Sequence, residues 1–284
     1  MTKNALIHYR ILWKPTGNQP GAKRGSSAGI GDQLRALVLL RDHPDPRRTD
    51  LRASMRDPFE QIWVRDFNLN ASLKVIVLAD ASASMGYQGT VNRLAVTEDI
   101  TSQLALSAYR SGDAFGFYAA NSEMINKLTL PTRINRSAWL WVKQHLSTLE
   151  PSGNNADGLL KVSSLLPKQR CLVFVISDFR WTKDKTAKLF KALNHHDVVP
   201  IVLQDPSEID QIPNRGIATL QDMETGRTQF VWMRPALKTQ IAKARIEHIK
   251  TLQDTSRIYG YKPFLVKGKF KPESLTQYFM ERSV

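Results

Sequence analysis

The stretch Lys74-Val75-Ile76-Val77-Leu78-Ala79-Asp80-Ala81-Ser82-Ala83-Ser84-Met85-Gly86 decides the fold. After its opening lysine it is apolar without alternation as far as Ala79, the pattern of a central strand covered on both faces of a parallel sheet. A carboxylate and two hydroxyls then follow at alternate positions. Downstream, Val96, Ile100, Leu104 and Ala108 recur at helical spacing, which predicts a helix from about Val91 to Arg110, closed by Gly112-Asp113. Ala114 to Ala119 reads as the next strand, with Glu123 to Leu130 beside it as a hairpin.

The same alternation continues to the end. Helices are predicted over Ser137 to Leu149, Asp157 to Leu166 and Thr182 to His195, and strands over Cys171 to Ile176, Val198 to Leu203 and Thr228 to Met233. Pro235 opens a long amphipathic helix with the stripe Ile241, Ala242, Ile246, Ile249 and Leu252. Pro263 to Val266 reads as a strand and Glu273 to Glu281 as a helix. Strands alternating with helices predict an α/β fold, doubly wound, with a mostly parallel central sheet flanked by helices in a Rossmann-like manner. Residues 1–70, rich in Arg, Asp, Gly and Pro, read as an irregular N-terminal extension, and 71–284 as the main domain with a helix-strand-helix extension at its end.

Composition narrows the class. The 284 residues are 42% hydrophobic and 23% charged, ordinary for a folded protein. A single cysteine, Cys171, excludes an internal disulfide and a cysteine zinc cluster, and points to a reducing, cytoplasmic setting. No segment approaches the roughly 20 apolar residues of a membrane helix, so no membrane insertion is expected. The net charge of +14 raises nucleic acid as a partner. The basic groups around Arg47, Lys183 and Lys262 are dispersed, however, with few aromatics between them; solvated faces or an acidic protein partner account for them as well. Arg47, Arg48, Arg52 and Arg56 either pair with Asp42, Asp45, Asp50 and Asp57 nearby or form an interaction surface.

In a doubly wound sheet, ligands sit beyond the carboxyl ends of the strands. Asp80, Ser82 and Ser84 stand there, and if the chain curls their oxygens converge as a site for a hard cation such as magnesium, which favours oxygen ligands. Asp178, in Ile176-Ser177-Asp178-Phe179, follows another central strand in the equivalent place, so adjacent parallel strands bring it to Asp80. Any one of these residues alone reads as a helix cap; three oxygen-bearing side chains exceed what one cap requires. Enzymatic readings are weaker. Neither serine lies in a Gly-x-Ser-x-Gly elbow, the histidines lack metal-ligand spacing, and Gly17 to Arg24 does not spell a phosphate-binding P-loop. No enzyme is expected.

Asp80, Ser82, Ser84, Met85 and Gly86 resemble the metal ion-dependent adhesion site of von Willebrand factor A (vWA) domains. The family adds a threonine from a middle loop; the corresponding Pro151 to Gly158 has none, and Asn155, or else Asn154, stands in its place. Asp178 matches the final acidic position. The resemblance implies that Ser82 and Ser84 touch the ion (Mg2+, or Mn2+ or Ca2+), that Asp80 and Asp178 act mainly through water, and that one coordination position is left for an outside carboxylate. Upstream, Gly31 to Arg35, Asp45 to Ser54 and Trp63 to Phe67 resemble the block before the vWA domain in proteins catalogued as domain of unknown function fifty-eight, which are associated with MoxR-type AAA+ ATPases. Two departures are Asp42-His43-Pro44-Asp45, in place of a glycine-containing turn, and Leu51, where tryptophan is frequent. The function implied is a metal-dependent protein-protein interaction module, a chaperone-like adaptor for a MoxR-type AAA+ ATPase in maturation or remodelling of an acidic client. The alternative is a basic nucleic-acid-binding module with a degenerate metal site.

Overall fold

The computed structural model describes residues 6–13, 20–28, 34–42, 44–87, 89–153, 155–210, 213–221 and 228–282. These form two compact units, one of residues 1–10, 74–110 and 114–284 and one of residues 11–73 and 111–113. Gly31, Asp32, Gln33, His43 and Asn154, singled out from the sequence, lie outside the described residues.

The smaller unit contains β1 (Pro20–Ala28), β2 (Leu34–Leu39), α1 (Leu51–Arg56) and β3 (Trp63–Ala71). Its strands make an antiparallel sheet in the order β1-β3-β2. The extension is therefore more regular than its sequence predicts. Register shifts interrupt both pairings, and a bulge breaks the two-residue alternation by which a strand is read.

In the larger unit the elements follow as β4 (Lys74–Asp80), α2 (Arg93–Arg110), β5 (Ala114–Ala120), β6 (Met124–Arg133), α3 (Ala138–Leu146), α4 (Asp157–Ser163), β7 (Leu172–Ser177), α5 (Lys183–Ala192), β8 (Asp197–Gln204), α6 (Ser207–Asp210), β9 (Gly216–Gln221), β10 (Thr228–Met233), α7 (Pro235–Ile258), β11 (Phe264–Lys267) and α8 (Pro272–Arg282). The central sheet has six strands in the order β11-β8-β7-β4-β5-β6. All its pairings are parallel except β5 with β6. This is the doubly wound, mostly parallel architecture that the vWA resemblance implies.

Strands β4 and β7 are buried along almost their whole length because both sheet faces are covered. On one face Ile76, Leu78, Val173 and Val175 pack with Leu159 of α4, Phe190 of α5 and Leu252 of α7. On the other, Phe174 meets Phe279 of α8 and Phe117 meets Trp141 of α3, in edge-to-face ring contacts. The stripe on α7 is only partly used. Its buried residues are Leu252, Thr255 and Ser256, whereas Ile246 is 70% exposed, because an apolar stripe states what a helix can bury and not how far the opposing surface extends. Strand β10 pairs with β9 in a separate antiparallel ribbon. Among the described residues, no helix is long and apolar enough to cross a membrane.

Candidate functional site

Strand β4 sits between β5 and β7, with Asp80 beside Ala120 and Ala79 beside Ile176. Asp80 therefore emerges at the carboxyl edge, next to Ser177 and Asp178. Its carboxylate is buried and both oxygens are engaged: Oδ1 accepts from the Ser82 amide at 2.8 Å, and Oδ2 from the Ser177 hydroxyl at 2.6 Å. The Ser177 oxygen in turn accepts from the Phe179 amide at 2.9 Å. Asp80 thus fixes the turn above its own strand and the end of the neighbouring one.

That turn, a short 3-10 stretch from Ala83 to Gly86, places the Ser82 and Ser84 hydroxyl oxygens 3.2 Å apart, both side chains buried. The middle loop lies against it. The Ala83 amide donates to the Gly153 carbonyl at 3.2 Å, and the Ser152 amide to the Ala81 carbonyl at 3.1 Å. Asn155 turns its amide oxygen to the Asp157 amide at 3.0 Å, where it serves the start of α4. Asp80, Ser82, Ser84 and Asp178 are brought together, while the Asn155 oxygen is engaged elsewhere.

Asp178 is paired with a residue that the sequence reading did not single out. Its Oδ2 receives Arg93 Nη1 at 2.9 Å, and the same Nη1 donates to the Ser84 carbonyl at 2.7 Å. Arg93 opens α2 and is 3% exposed. Its Nη2 reaches Glu208 of α6, where Arg180 and Arg245 also converge. A cation at the first position of a helix opposes the helix dipole. That disfavoured placement was the available sequence signal; its partners, 85 and 115 residues away, left none.

Electrostatics sharpens the picture. Burial, and then the charge of Asp178, pushes the Asp80 carboxyl up to about 6 against the hydrogen bonds from Ser177 and Ser82. Three carboxylates, Asp80, Asp178 and Glu208, face three guanidiniums, Arg93, Arg180 and Arg245. When all are ionised, the group is neutral before any ion arrives.

The donor set fits a hard cation at the serines. Adjacent oxygens of an octahedron lie about 2.9 Å apart around magnesium and about 3.3–3.7 Å apart around calcium, and the hydroxyl separation of 3.2 Å falls between these ranges. Among the described residues, no three His, Cys, Asp or Glu side chains gather as a metal cluster. An ion here would rest on hydroxyls, with Asp80 behind them and Arg93 as a fixed opposing charge. That combination favours weak binding unless an outside anion completes the coordination.

Comparison with known proteins places the chain among relatives. The model of the family described as Protein of unknown function DUF58 matches residues 41–251. An uncharacterized protein of Mycobacterium tuberculosis is 24% identical over 260 residues, 89% of this chain and 80% of that one. An uncharacterized protein in the moxR 3' region of Paracoccus denitrificans is 33% identical over 98 residues, 34% of this chain and 93% of that one. Similar solved structures include the conserved hypothetical protein BatB from Bacteroides thetaiotaomicron, with a TM-score of 0.48 and 14% identity over 75% of this chain and 99% of that one. The SpRpn10 VWA domain has a TM-score of 0.41 and 12% identity over 73% of this chain and 93% of that one.

Proposed function

The chain belongs to the family described as Protein of unknown function DUF58, and on that premise we propose that it is a protein-protein interaction module that grips a partner carboxylate through a divalent ion. The observation that carries this reading is the buried Ser82–Ser84 hydroxyl pair at 3.2 Å, backed by Asp80. The bound ion would supply an electrophilic coordination position. The protein holds that position in place: Asp80 fixes the turn, the Gly153 carbonyl ties the middle loop to it, and Arg93 holds Asp178. Because the surrounding charges balance, a divalent ion leaves a local excess of positive charge, which suits an acidic client.

The role is binding rather than catalysis, in a reducing cytoplasmic setting where the buried thiol of Cys171 stays free. We assign a MoxR-type AAA+ ATPase as the working partner, with remodelling or maturation of the client as the outcome. The Paracoccus relative in the moxR 3' region supports that assignment. Calorimetric titration with magnesium and manganese, with and without a short acidic peptide, tests the reading on the wild type and on D80A with S82A. The expected result is saturable binding that the peptide strengthens and the double variant loses. Absence of binding by the wild type, with the peptide present, overturns it.

A further inference from the structure

We propose that the outer face of α1, with the turn that follows, docks an acidic amphipathic helix of a partner protein. This surface is separate from the ion site and independent of it. Helix α1 is amphipathic in the reverse sense. Its inner side is held by polar contacts: the Asp50 carboxylate accepts from the Ala53 amide at 3.1 Å and from Arg65 Nε at 2.8 Å, and the Ser54 hydroxyl donates to the Asp50 carbonyl and accepts from the Trp63 amide. No residue of α1 is buried. The apolar side chains face solvent instead, with Leu51 70%, Met55 85% and Phe59 78% exposed. Leu51 and Met55 stand one helical turn apart, and Arg52 and Arg56 form a parallel row beside them.

The local acids are already engaged. Asp45 accepts from the Arg47 amide and pairs with Arg48 at 3.1 Å, Asp50 pairs with Arg65, and Asp57 accepts from the Gln61 amide at 2.8 Å. Among the described residues, Arg47, Arg52 and Arg56 have no acidic partner. The arginine row and the apolar row therefore complement a helix whose own apolar row runs beside Glu or Asp at the same four-residue spacing. An anionic bilayer fits less well, because Glu60 at the rim is exposed and negative and three apolar side chains give little insertion. Nucleic acid would leave Leu51, Met55 and Phe59 uncovered.

Fluorescence anisotropy of a labelled synthetic helix carrying adjacent Leu and Glu rows, measured against the full chain with a chelator present, tests the proposal. Saturable binding is expected, about tenfold or more weaker for R52E/R56E. The same double variant should gain affinity for a matching peptide with Lys in place of Glu, which also shows that it is folded. M55D should weaken both pairings. The proposal is overturned if the wild type fails to bind the Glu peptide or binds the Lys peptide equally well. Binding only to phosphatidylcholine–phosphatidylglycerol vesicles, or only to duplex DNA, also overturns it and reassigns the surface to that ligand. Because the chelator removes the ion from Ser82 and Ser84, loss of the ion site leaves this result unchanged.

Discussion

Arg93 keeps a full charge in the interior because three acceptors surround it: the Asp178 carboxylate, the Ser84 carbonyl and Glu208. Taking one partner out of a buried ion network leaves the others uncompensated and costs about 3–5 kcal/mol. R93A is therefore expected to lower stability by about that amount in urea titration. R93K should recover only part of it, since an ammonium lacks the fork that reaches several acceptors at once. Cys171 illustrates the opposite treatment of a titratable group. Burial pushes its thiol up to about 11, and the thiolate is the reactive form. Iodoacetamide at neutral pH should leave the native protein unmodified and alkylate it once urea unfolds it, as read by mass spectrometry. At this scale the sequence showed Asp80, Ser82 and Ser84, which lie together within one turn. Arg93 and Glu208 were hidden because only folding makes them neighbours.

Single elements depend on close approaches as much as on burial. Gly158, the second residue of α4, donates its amide to the Asn121 carbonyl at 2.8 Å, and a Cβ there would stand 2.5 Å from the Glu123 backbone. G158A is expected to cost about 1–3 kcal/mol through overpacking, measured as a lower denaturant midpoint. The loss reaches the ion site through the middle loop, which precedes α4. The central strands were legible because a strand covered on both faces must be apolar throughout, as in Val75 to Ala79 and Leu172 to Ile176. Strand β9 was not read as one, because its pairing with β10 lies outside the main sheet. The Asn155 position was legible in the loop, but its hydrogen bond to Asp157 was not.

Across the whole chain, the larger unit recruits residues from the far N-terminal side. The Ile7 amide donates to the Ser107 hydroxyl at 2.9 Å, the His8 amide donates to Thr276 Oγ1 at 3.1 Å, and the Tyr9 ring meets Phe279. Ile7 is buried as fully as the core of the central sheet. I7A is therefore expected to cost about 2–5 kcal/mol, seen as a lower melting temperature. Composition alone would have assigned this segment to the extension, since charge and turn residues dominate the sequence that follows it. The closing elements have a further consequence. Strand β11 pairs only with β8, while α8 places Phe279 against Phe174. During synthesis on the ribosome, the β8 edge stays open until residues 264–282 have emerged, so this unit completes its folding late. Its nascent form carries an unpaired strand edge, the kind of surface that general chaperones protect.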